Sequence, residues 1–228
     1  MNIKDQKLCS EVLSPGKAAG KLSLIKVTRN GALLLALPLD RGVSLATLKL
    51  YQPQKWKGRG LRLALRAMVS VGLHRILPRV EFTIGEDGLF AGLDKKVDKT
   101  KFGFLLSNAD ASKRNLIGLY EYGDDYLVVK AGCGDSSSIV KMESETMRVF
   151  SQEIPGLPRC VSSFAIEDGY AYVAEWVQGR SPRSSSDEAH VFELLGQWLK
   201  KGKKLDIKDL DCWISLKEEL SAEQYAPF

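Results

Sequence analysis

An apolar strand that ends on a lysine constrains this chain more than any other stretch. Tyr126 to Lys130 reads YLVVK, Gly132-Cys133-Gly134 forms a flexible connection, and the run IVKMESETMRVF then has helical spacing. Ser136, Ser137 and Ser138 are placed to cap that helix, because hydroxyls accept from unpaired first-turn amides. The helix is expected to run to about Gln152 and to stop before Pro155-Gly156. Cys160 to Glu167 and Tyr170 to Val177 then read as a hairpin that turns at Asp168-Gly169. Upstream, Lys101 to Ser107 and Asn115 to Glu121 read as two more strands, the second joined to YLVVK through Gly123-Asp124-Asp125. Three strands, one helix and two strands predict an α+β fold: a five-stranded antiparallel sheet with one main helix.

Chemistry converges on Lys130. A lysine at the end of an apolar strand is held by the sheet, and a fixed cation of this kind suits a phosphate tail. An ammonium left alone in a partly buried cleft would be costly, so a carboxylate partner is expected. Ile139, Met142, Thr146 and Val149 mark the inner face of the helix; Glu145 lies near that stripe and is the first choice, Glu143 the second. The plain alternative is that Lys130 ends an ordinary edge strand and both glutamates are solvated.

The first part of the chain has a different character. Lys21 to Val27 alternates, Asn30-Gly31 is a hairpin turn, ALLLALPL follows, and VSLATLKLY after Asp40-Arg41-Gly42 reads as a third strand. A small meander is therefore expected from Lys21 to Tyr51. From Lys55 to Leu77 the period becomes helical, with Leu61, Leu65, Met68, Val69, Leu73 and Ile76 on one side and Lys55, Lys57, Arg59, Arg62 and Arg66 on the other. The favoured reading packs this helix on the meander with its arginines solvated; the other lays it on an anionic membrane or an acidic partner. Val80 to Leu93 reads as a strand, a turn and a strand remnant. Asp94 to Lys101, charged and without periodicity, is the expected boundary. The predicted organisation is a β/α module over 1–94, a lobe over 95–180, and a linker with two helices over 181–228, namely HVFELLGQWLKKG and Trp213 to Ala222.

The strand Val128-Val129-Lys130, the helix KMESETMRVF, the stretch GLPRCVSSF and the run GYAYVAEWVQGRSP together resemble the aminoglycoside phosphotransferase-like, protein kinase-like superfamily, in its small lobe and the start of its large lobe. The resemblance covers about Lys101 to Lys201. It implies an ATP cleft beneath the sheet, with Lys130 on the α/β phosphates and Glu145 or Glu143 paired to that lysine. Glu175 to Gln178 would be the hinge, where backbone groups, those of Glu175 and Val177 among them, would hold the adenine edge, and Gly179 would let the chain turn away. The segment from Ser107 to Asn115 would cover the phosphates. It departs from a protein kinase in having no GxGxxG, only Ser107, Asn108 and Ser112.

A larger departure is the missing chemistry. Phosphoryl transfer in this family needs a catalytic aspartate in a His-Gly-Asp type loop, a following asparagine and a second aspartate, which place the acceptor and hold Mg²⁺. Neither His74 nor His190 is followed by Gly-Asp, and the chain ends before the catalytic loop would arrive. No catalytic residue and no metal ligand is therefore assigned, and Mg²⁺ lacks its holders. The expectation is a truncated, split or pseudokinase version of a small-molecule phosphotransferase that binds ATP without turning it over. The competing expectation is a non-enzymatic module docking on a membrane surface or acidic partner through residues 55–79.

The remaining features narrow the setting. Four scattered cysteines without a CxxC pair and two histidines argue against a closed zinc site and fit a reducing, cytoplasmic compartment. The start is too polar for a signal peptide, and no apolar run is long enough to span a membrane. The formal charge of +5 comes without an aromatic-interleaved basic stripe, so nucleic acid is not an expected partner. Helices that resemble the start of a large lobe would leave apolar surface for an oligomer or a missing C-terminal half to cover.

Overall fold

The computed structural model describes residues 3–53, 55–94, 97–107, 114–152 and 156–177, with four isolated positions beyond. The chain divides into two compact units, Met1–Gly179 and Arg180–Phe228. Apart from Ser186, Ala189, Phe192 and Glu193, the expected linker and both expected C-terminal helices, with His190, Gln178 and Gly179, lie outside the described residues.

The first unit is built on eight antiparallel strands. In chain order these are helix α1 (Ile3–Leu13), β1 (Ala18–Arg29), β2 (Ala32–Leu37), α2 (Arg41–Leu50), α3 (Trp56–Ser70), β3 (Arg79–Gly85), α4 (Leu89–Gly92), β4 (Phe102–Leu106), β5 (Leu116–Tyr122), β6 (Asp125–Cys133), α5 (Asp135–Phe150), β7 (Cys160–Ile166) and β8 (Gly169–Glu175). The strand order is β3-β1-β2-β4-β5-β6-β8-β7. The expected run of three strands, one helix and two strands is present as β4 to β8, but as part of a larger sheet. The expected boundary near residue 94 does not divide the sheet: β2 pairs with β4, with Leu35 opposite Leu105 and Ala36 opposite Phe104.

One hydrophobic core runs under both halves of the sheet. Val12 and Leu13 of α1, Leu24, Phe82, Phe104, Leu116 and Val129 are all buried in one cluster. Edge-to-face contacts of Phe82 with Phe104 at 5.4 Å and of Phe90 with Phe102 at 5.0 Å knit its centre. Strand alternation sends the odd residues Val129 and Ala131 of β6 to this core, and the even residues Val128 and Lys130 to the opposite face. On that opposite face lie α2, α3 and α5.

Helix α2 corrects the reading of VSLATLKLY as a strand. The Asp40 side chain accepts from the Val43 amide at 2.8 Å and caps a helix. Val43, Ala46 and Thr47 are buried at helical spacing, a pattern that also alternates over short distances and so mimics a strand. Two further differences are smaller. The polar first residues form α1, and Leu89–Gly92 is a short helix rather than a strand remnant.

Candidate functional site

The site begins with how α5 sits on the sheet. The Cβ that Gly132 lacks would lie 2.4 Å from Ser136 Oγ, so glycine lets the first turn of the helix lie directly on β6. The N-cap position is Gly134, without a side-chain cap, and Ser136 Oγ instead donates to the Cys133 carbonyl at 2.9 Å. The serines therefore seat the helix rather than cap it. Its buried line is Ser136, Val140, Ser144 and Met147. The expected inner stripe of Ile139, Met142, Thr146 and Val149 is wrong by about one position, and Met142 and Val149 are exposed.

That rotation decides the partner of Lys130. The lysine Nζ donates to both carboxylate oxygens of Glu143, at 2.7 and 2.6 Å. Glu145, the first choice on sequence, is exposed on the outer side of the helix, and Glu143 takes the pairing role. Tyr172 stands directly opposite Lys130 across β6 and β8, and its hydroxyl donates to Glu143 at 3.2 Å. Burial, followed by the Glu143 charge and its hydrogen bond, pushes the Tyr172 phenol above its ordinary range, so it stays a donor. The pair is half-open to solvent: the Lys130 side chain is 19% exposed and that of Glu143 35%.

The expected phosphate-covering segment leaves the sheet at the same end. Ser107 N donates to the Asn115 carbonyl and Asn115 N donates to Ser107 Oγ, both at 2.9 Å, which closes the base of the loop. The Ser107 hydroxyl is thus an acceptor in the loop base. Asn108 and Ser112 lie outside the described residues. Asn115 Oδ1 is buried near Gly132 and has no hydrogen-bond partner among the described residues.

At the other end of the same face the arrangement is closed. Val43 and Ala46 of α2 pack on Leu119, which is fully buried, and Tyr126, Val128 and Trp176 border the same cluster. The Cβ that Gly103 lacks would lie 2.5 Å from Thr47 Oγ1, so glycine brings α2 down onto the strand. The space under the sheet beside the expected hinge is therefore filled by the protein's own helix. Glu175 is committed elsewhere, with an ion pair to Arg159 Nη2 at 2.9 Å, while the Val177 side chain is exposed. Trp176 meets Tyr126 edge-to-face at 5.5 Å and carries Lys49 over its ring at 5.1 Å. A cavity of about 630 Å³ opens beside it, lined by Lys49, Gln52, Arg62, Arg66, Trp176 and Val177.

The structure thus brings together Lys130 and Glu143, adds Tyr172, and places Glu145 and Glu175 away from the pair. Tyr172 has a signal in the alternation of GYAYVAE, but only the register of β8 against β6 singles it out over Tyr170. Thiol chemistry has little footing among the described cysteines: Cys9 and Cys133 are pushed up to about 12, chiefly by burial, and burial raises Cys160 as well. Comparison with family models, with curated proteins and with solved structures returns no match for this chain.

Proposed function

We propose that the chain is a kinase-like lobe that binds a nucleotide through its phosphates and does not itself transfer phosphate. The observation that carries this reading is the two-toothed grip of Glu143 on Lys130, backed by the Tyr172 hydroxyl. A carboxylate that holds a strand lysine in place while leaving it partly open is what a phosphate site requires. The contiguous antiparallel strands β4 to β8, with one helix after the third, support the same reading. The sequence supplies no His-Gly-Asp loop to orient an acceptor, which favours a pseudokinase or one part of a split phosphotransferase over a self-sufficient enzyme.

Helix α2 sets the strength of binding in this reading. A base held beside Trp176 under the sheet requires α2 to withdraw from Leu119 and Val128, and apparent affinity falls with the fraction of molecules in which it has done so. Binding is accordingly weak. Titration of MgATP against thermal stability tests this, since ligand binding to the folded state raises the melting temperature by mass action. The expected result is a shift at millimolar-range nucleotide that disappears in Lys130→Ala, with the melting temperature of the free variant measured alongside. No shift in the wild type, or an unchanged shift in Lys130→Ala, overturns nucleotide binding at this site.

A further inference from the structure

Residues 41–80 hold nine of the 33 lysines and arginines of the chain and none of its 28 acidic residues. The rest, with 24 basic against 28 acidic residues, is net negative, so the positive charge of the protein is concentrated in one segment. The same segment is unusual in its apolar exposure. Twelve large hydrophobic side chains are exposed among the described residues, and five of them, Trp56, Leu63, Val71, Leu73 and Ile76, fall within 21 residues.

The geometry of α3 explains how both properties arise. Gly58, Leu65 and Val69 are buried, with Leu61 packed against the same cluster, and this line anchors the helix to the sheet side of the molecule. Opposite that line, at spacings of seven, four and four residues, come Trp56, Leu63, Ala67 and Val71, which point away from the core. Trp56 is 77% exposed and so is Ile76, in the short turn after the helix. Arg59 and Arg66 run along one side of this ridge and Lys57 stands on the other, all exposed. The favoured reading from the sequence, a helix packed on the first strands with solvated arginines, agrees with the inner line of Leu65 and Val69 and does not address the outer one. That outer line is apolar and the cations flank it.

We infer that α3 and the turn following it form a docking surface for an anionic lipid bilayer. Such a surface is layered: acyl chains below, phosphates above. A ridge of Trp, Leu and Val reaches past the headgroups, while flanking arginines and lysines stay level with the phosphates. The helix itself remains fixed by Leu65 and Val69, so the body of the protein is held at the surface. Among the described residues, no helix is long and apolar enough to cross a membrane.

Flotation of the full-length protein with vesicles provides the test. Binding is expected to vesicles of phosphatidylcholine mixed with phosphatidylglycerol, and not to phosphatidylcholine alone. It should weaken with salt, because the screening length falls from about 10 Å at 0.1 M to about 3 Å at 1 M. Arg59→Glu with Arg66→Glu should lower the partition coefficient by about tenfold or more, since each basic residue near an anionic surface counts for roughly a fivefold change. Trp56→Ala with Leu63→Ala should also weaken binding while making it no less salt-sensitive. All four positions are exposed, so unchanged melting temperatures are expected and would confirm that folding is intact. Absence of flotation with anionic vesicles overturns the inference. So does binding by either double variant that is as strong as that of the wild type, or a stable dimer in light scattering that Trp56→Ala with Leu63→Ala dissociates, since a second copy would then be what covers the ridge.

Discussion

Two ion pairs in this molecule look alike on paper and serve opposite ends. Asp5 of α1 and Arg114, just before β5, pair on the α1 side of the sheet with side chains 0% and 15% exposed. Lys130 and Glu143 pair on the α2 and α5 side in a more open setting. The first pair is tied in on several sides: Asp5 accepts from the Leu33 amide at 2.7 Å as well as from Arg114, and Arg114 donates also to the Leu33 and Ser107 carbonyls. It ties the first helix, the start of β2 and the base of the Ser107 loop into one knot. Among the described residues, the second pair has Tyr172 as its one other hydrogen-bonding partner, and it keeps its lysine within reach of solvent. A buried pair tied to the backbone on several sides is a latch; a half-open pair with one hydroxyl behind it is a holder suited to a ligand.

This contrast predicts unequal costs. Asp5→Ala strands the Arg114 guanidinium among buried groups, and should lower unfolding free energy by about 3–5 kcal/mol, the range for breaking a buried pair by removing one partner. Chemical denaturation would check it. A loss under about 1 kcal/mol, the ordinary worth of an exposed pair, would erase the distinction between latch and holder.

Tyr172→Phe is the next largest. It removes one hydrogen bond to a carboxylate and should cost about 1–2 kcal/mol at neutral pH. The pH profile sharpens it. The folded phenol titrates above its ordinary value of 10.0, so the unfolded state loses the proton first. The contribution of Tyr172 is then complete below about pH 10 and fades as pH rises toward the folded value. The stability gap between wild type and Tyr172→Phe should therefore narrow in alkali, and a gap that widens there would contradict a phenol donating to Glu143.

A fully open carboxylate marks the low end of the scale. Asp98 accepts from the Thr100 hydroxyl at 2.7 Å and from the Thr100 amide at 2.9 Å, and these bonds hold its carboxyl below the ordinary value. Its contribution is present above the unfolded carboxylate range and is lost as pH falls through the lowered folded value. Asp98→Ala should cost about 0.5–1 kcal/mol, as for a lost cap, and the difference should vanish in acid. If Asp98→Ala proved as damaging as Asp5→Ala, burial would not be what separates these two carboxylates.

The sequence alone determined the strands β4 to β8, the helix between the third and fourth, and the identity of the lysine, because each rests on local signals: turn residues, alternation and a run of helical period. It also carried the basic character of residues 55–79, since charge needs no fold to be counted. Tertiary structure decided the rest. Ser136 and Ser144 are polar residues on a buried face, so hydrophobic periodicity turned α5 by a position and preferred Glu145 over Glu143. VSLATLKLY satisfies both periods, and only the Asp40 cap and the close approach at Gly103 made it a helix that fills the sheet face beside Trp176. The pairing of β2 with β4, the knot between Asp5 and Arg114, and the outward turn of Trp56 and Leu63 all join positions far apart in the chain or depend on which face meets the core. Periodicity shows that a helix has two faces; the packing of its neighbours decides which of them is buried.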